Sequence, residues 1–83
     1  MLISYNASVF TPAGWRGVRI QARAERTSQG MAKILEVLTI DGETPHYGQS
    51  RTGARRQTYN GSGVAQREVG ARKRLSACIV EAA

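Results

Sequence analysis

The side chains that could do chemistry are few in this 83-residue chain, and one kind dominates them. Structural zinc needs four nitrogen or sulfur ligands, and the chain holds one histidine, His46, and one cysteine, Cys78. A nucleophile needs a base beside it; His46 would have to serve Ser50, Ser62, Ser76 or Cys78, none of which sits in a nucleophile motif. Glu25, Glu36, Asp41 and Glu43 are spaced as strand-face and turn residues rather than as an acid and base pair. Gly53-Ala54-Arg55-Arg56 and Gly61-Ser62-Gly63 match no phosphate-binding loop. Gly14-Trp15-Arg16-Gly17 spells the G-x-x-G of KH modules, but that loop joins two helices, whereas strands are expected on both sides here. Neither an enzyme nor a metal or cofactor site is expected.

What remains is arginine. The formal charge is +6, and ten of the twelve basic residues are arginine, whose planar fork of donors suits phosphate and carboxylate better than an ammonium does. Residues 1–43 carry five basic side chains against four carboxylates, while residues 44–74 carry seven against Glu68 alone. Essentially all the excess therefore lies in one stretch. Tyr47, Arg51, Arg55, Arg56, Tyr59, Arg67, Arg72, Lys73 and Arg74 form the candidate binding set. Arginines neutralise phosphates and tyrosines stack on bases, the combination used by sequence-tolerant single-strand binders. The same residues also suit a solvated loop and helix face, and a GC-rich genome raises arginine without any function.

The elements that must hold this set are read from apolar spacing. Ile3, Tyr5, Ala7 and Val9 alternate with polar residues, which predicts a strand over 2–10. Thr11-Pro12-Ala13-Gly14 supplies a turn. Val18, Ile20, Ala22 and Ala24 alternate with Arg19, Gln21, Arg23 and Glu25 in a second strand over 15–26. A third, over 31–40, has Ile34, Leu38 and Ile40 on one face and Leu35 and Val37 on the other, the pattern of a central strand covered on both sides. Residues 43–60 show no apolar periodicity and read as a long, partly mobile loop. Asn60-Gly61-Ser62-Gly63 supports two readings: a Ser62-capped helix over 63–74, or the turn of a hairpin. The Ala, Arg, Gln and Glu that follow favour the helix, though Gly70 weakens it. Residues 75–81 read as a final strand. The expected class is α+β: a small antiparallel sheet, in the order β-β-β-loop-α-β, with one helix packed on a face.

A chain of this length closes one hydrophobic core, so residues 1–83 make a single domain of modest stability, which a partner or a homodimer interface would reinforce. A lone cysteine among apolar neighbours fits a reducing compartment. Met1-Leu2-Ile3-Ser4-Tyr5 lacks the features of a signal peptide, and no run of about 18 apolar residues exists to cross a membrane. Cytoplasmic localisation without membrane association is the expectation.

Arg51-Thr52-Gly53-Ala54-Arg55-Arg56-Gln57-Thr58-Tyr59-Asn60 and Glu68-Val69-Gly70-Ala71-Arg72-Lys73-Arg74-Leu75-Ser76 resemble small uncharacterised accessory proteins of Mu-like transposable phages. Such families include non-enzymatic proteins that disarm host defences, anti-CRISPR proteins among them. The resemblance carries over no functional residue. Two functions are thus expected to compete. One is a phage or prophage accessory protein that binds nucleic acid or a nucleoprotein complex through its basic 51–74 segment. The other is an anti-CRISPR-like inhibitor or adaptor docking on an acidic host protein, with Trp15 or the tyrosines as anchors.

Overall fold

The strictest alternation in the sequence builds the first hairpin. β1 (Leu2–Thr11) and β2 (Gly14–Arg26) pair antiparallel without interruption, from Leu2 opposite Arg23 to Thr11 opposite Gly14. Gly14 has φ +108°, which L side chains rarely adopt, so the reversal depends on a residue without a Cβ. β3 (Met31–Ile40) returns along β2. The computed structural model describes residues 1–11, 13–49, 52–53, 55–60 and 62–81.

Two β-bulges decide which way β3 faces. Ala24 lies opposite Ile34 and Arg23 opposite Glu36, which leaves Leu35 surplus; Ala22 lies opposite Val37 and Gln21 opposite Thr39, which leaves Leu38 surplus. Each extra residue shifts the parity, so the inward set becomes Ala32, Ile34, Val37 and Ile40, all buried. The expected strand covered on both faces is corrected: Val37, not Leu38, joins Ile34 and Ile40, and the two leucines are only half-buried.

β1, β2 and β3 bury Ile3, Tyr5, Val9, Val18, Ile20, Ala22 and Ala24 on the same inner face. The chain from Tyr59 to Cys78 crosses this face, contributing Tyr59, Val64 and Ala65 as buried residues, with Ala71, Leu75 and Cys78 packed against them. Ala22, Ala24, Ala32 and Ala65 are at most 1% exposed, and their small size lets the covering backbone lie close to the sheet.

The second half of the chain departs from expectation. Residues 43–60 are not simply a loop: β4 (His46–Gln49) and β5 (Arg55–Thr58) form an antiparallel hairpin with His46 opposite Thr58. The expected 63–74 helix is only α1 (Val64–Glu68), whose N-cap is Gly63 at φ +69°; the Ser62 hydroxyl donates back to the Tyr59 carbonyl instead of capping. The helix stops because the free edge of β3 competes for its backbone. Gly70 N–H donates to the Ile34 carbonyl and Ile34 N–H to the Ala71 carbonyl, with Gly70 at φ +86° making the bend. The chain then joins the sheet as β6 (Arg72–Arg74) beside β3. The expected 75–81 strand divides into a 3₁₀ turn (Leu75–Ala77) and β7 (Ile79–Glu81), which pairs with the start of β1.

The main sheet therefore runs β6-β3-β2-β1-β7, antiparallel throughout, with β4-β5 as a separate ribbon. Strands hold 62% of the described residues and helix 11%, so the expected α+β class with a helix covering a face is overturned in favour of a mostly β fold. A five-residue helix spans only about 7.5 Å and cannot cover five strands. No helix among the described residues is long and apolar enough to cross a membrane.

Candidate functional site

The ribbon is tied to the sheet where the bulges have disturbed the ladder. Gln57 Nε2 donates to the Val37 carbonyl at 2.8 Å, so this one side chain ties the ribbon to β3 between Leu35 and Leu38. An open cleft of about 430 Å³ results. Arg23, Leu35 and Glu36 form its sheet wall, Tyr47, Arg55, Arg56 and Gln57 its ribbon wall, and Gln66 of α1 with Val69 closes the end.

Local pairing explains how the ribbon presents its chemistry. Tyr47 lies opposite Gln57, and Arg55, two residues before Gln57, shares that face as a diagonal neighbour. The Arg55 guanidinium sits 4.8 Å from the centroid of the Tyr47 ring, a cation–π contact on a tyrosine that stays 56% exposed. Arg56 lies opposite Gly48, which has no side chain to cover it. Across the cleft Arg23 Nε meets Glu36 Oε2 at 3.4 Å, and both side chains are about half exposed, so this pair contributes well under about 1 kcal/mol to stability. The lining holds three arginines against one carboxylate.

The remaining expected site residues divide three ways. Arg67, on α1, and Arg72 and Arg74, on β6, are exposed; Arg72 lies opposite Lys33 and Arg74 opposite Met31. Lys73 alternates to the inner side, where its Nζ contacts Glu68 Oε2 at 3.2 Å and lies 5.0 Å from the Tyr5 ring centroid. Tyr59 is 5% exposed, and burial first, then the Glu43 carboxylate, raise its phenol above the ordinary range. Lys73 and Tyr59 thus serve packing and leave the candidate set. Arg51 lies outside the described residues.

Arg23, Glu36, Gln57 and Gln66 belong to the cleft although sequence reasoning left them out. Arg23 was legible as an outward-facing position, but strict alternation sets Glu36 on the face of Ile34, and only the bulge at Leu35 turns it outward, opposite Arg23. At the far end of β2, roughly 26 Å along the strand from Arg23, Phe10 and Trp15 form an edge-to-face pair at 5.5 Å, 62% and 74% exposed. Among the described residues no group of three or more His, Cys, Asp or Glu side chains could hold a metal ion. No family model, curated protein or solved structure matches the chain.

Proposed function

We propose that this is a non-enzymatic phage or prophage accessory protein, acting in the cytoplasm, that binds nucleic acid or a nucleoprotein complex through its 51–74 segment. The observation carrying this reading is the assembly of Tyr47, Arg55, Arg56 and Arg23 around one open cleft with a single acidic residue. Guanidinium groups neutralise phosphates, and the exposed Tyr47 ring with its Arg55 cap offers planes on which a base stacks. Arg67, Arg72 and Arg74 extend the basic surface beyond the cleft. The phage assignment is supported by the resemblance of residues 51–60 and 68–76 to accessory proteins of Mu-like phages.

The exposed Phe10–Trp15 pair favours a second reading, docking on an acidic host protein with these rings as anchors. Pull-down from nuclease-treated host lysate separates the two. Loss of all retained material supports nucleic acid, whereas retention of one host protein supports docking. Changing Arg55, Arg56 and Arg67 together to Ala is expected to weaken oligonucleotide binding and flatten its salt slope by about 2. The Tm should move by less than about 4 °C, because all three side chains are exposed. A larger fall in Tm with unchanged binding would assign these arginines to structure.

A further inference from the structure

β1 is long and its second neighbour is short. β7 pairs only with Leu2, Ile3 and Ser4, so from Asn6 onward one edge of β1 has no strand beside it among the described residues. Sheet edges are ordinarily protected by charge, proline or a bulge. The segment Tyr5-Asn6-Ala7-Ser8-Val9-Phe10-Thr11 has neither charge nor proline, and its pairing with β2 contains no bulge.

The orientation of the free backbone groups follows from the other side of the strand. Met1 and Ala24 exchange backbone hydrogen bonds in both directions, at 2.8 and 2.9 Å. In an antiparallel ladder such pairs recur at every second residue, so the odd positions of β1 bond to β2 and the even positions point away. Asn6, Ser8 and Phe10 therefore direct their N–H and C=O groups toward the open edge.

We infer that this edge pairs with the same edge of a second copy of the chain, antiparallel about a two-fold axis at Ser8. That register is self-complementary: Ser8 meets Ser8 of the partner, Asn6 meets Phe10, and Phe10 meets Asn6. All six outward backbone groups on each chain are then satisfied by six hydrogen bonds. Ala7 and Val9 exchange places across the axis on the inner face, so apolar side chains meet apolar ones. Charge also selects this edge. The border strand on the opposite side, β6, consists of Arg72, Lys73 and Arg74, whereas residues 5–11 of β1 carry no charge, so two copies of a +6 chain meet with less repulsion strand to strand here than there. The pairing ends at Asn6, two residues before β7 begins opposite Ser4. Four strands then lie between the two β3 strands, which are about 24 Å apart at ordinary strand spacing, leaving both clefts accessible. A five-residue strand pair is small for a specific interface, so association belongs at the weak end of the range.

Sedimentation of nucleic-acid-free protein from micromolar to millimolar concentration tests the pairing, with dimer expected to appear as concentration rises. Ser8→Pro removes an outward N–H without touching the bonds to β2, so the fold should persist while association weakens at least thirtyfold, roughly the effect of two hydrogen bonds lost per dimer. Circular dichroism confirms folding of that variant. In a Cys78→Ser background, Ser8→Cys should form an interchain disulfide under mild oxidation, because directly opposed Cα atoms about 5.5 Å apart suit that bond. Asn6→Cys, which meets Phe10 of the partner, should not. A monomer at all concentrations, unchanged association of folded Ser8→Pro, or cross-linking of Asn6→Cys as readily as Ser8→Cys would overturn the inference.

Discussion

Replacing Tyr5 by Phe removes one oxygen and should cost the fold a large part of its stability. The Tyr5 hydroxyl donates to Glu68 Oε2 at 2.7 Å, joining β1 to the end of α1, while Lys73 holds the same carboxylate oxygen at 3.2 Å. The ring is 6% exposed, so the phenylalanine fills the same space and the change isolates the hydrogen bond. A bond to a charged acceptor contributes about 1.5–3 kcal/mol. Because Lys73 still faces Glu68, the lower part of that range applies, about 1.5–2 kcal/mol. Stability for a domain of this length is of the order of 4–12 kcal/mol, and the expected fall in Tm is about 6–16 °C.

The loss also has a pH signature. Burial, and secondly donation to Glu68, hold the Tyr5 phenol protonated well above its ordinary range. In the unfolded chain it ionises near pH 10, so its stabilisation is complete below about pH 10 and is lost as the pH rises further. Urea unfolding followed by circular dichroism at neutral pH and near pH 11 should show the wild type losing more stability than Tyr5→Phe between the two. The slope should be flattened rather than abolished, since Tyr59 is raised by burial as well. A change below about 0.5 kcal/mol at neutral pH, with parallel pH curves, would refute the reasoning.

The β3 register is tested by two lysine substitutions: Leu38→Lys should cost about 1 kcal/mol or less, whereas Val37→Lys, at a position 1% exposed, should prevent folding in a thermal melt. The opposite ranking would restore simple alternation. Asp41, at φ +52°, accepts the Arg19 backbone N–H and pairs with Arg16; the first of these chiefly holds its carboxyl below the ordinary range. Its stabilisation is therefore present above about pH 4 and lost on acidification through the lower folded value, so Asp41→Asn should reduce Tm at neutral pH and lessen the fall in acid.

The first half of the fold was legible because, from Ile3 to Val9 and from Val18 to Glu25, inward positions are apolar and outward ones polar, a signal that survives without tertiary information. In β3 the same signal misled. Its apolar residues recur at three-residue spacing from Ile34 through Val37 to Ile40, the mark of bulged pairing, and no strict period of two can express it. β4 and β5 were hidden because His46-Tyr47-Gly48-Gln49 and Arg55-Arg56-Gln57-Thr58 lack apolar alternation; their pairing is fixed by backbone bonds and the Gln57 tie to Val37. Local composition favoured a helix through Arg74, but the unpaired edge of β3 captured the chain at Gly70. That change of element decided part of the site too. On a helix Lys73 would have joined Arg72 and Arg74 in one basic run, whereas strand alternation turns it inward to Glu68.

Nucleic-acid binding by this chain would depend most on its basic surface meeting phosphate, and salt reads that contact directly. Anisotropy of a labelled single-stranded oligonucleotide should be measured across a salt series, taking log K against log salt concentration. With Arg55, Arg56, Arg67, Arg72 and Arg74 each neutralising a phosphate, a linear fall with slope of about −3 to −4 is expected. No binding at low salt, or a slope between about −1 and zero, would contradict nucleic-acid recognition by this surface.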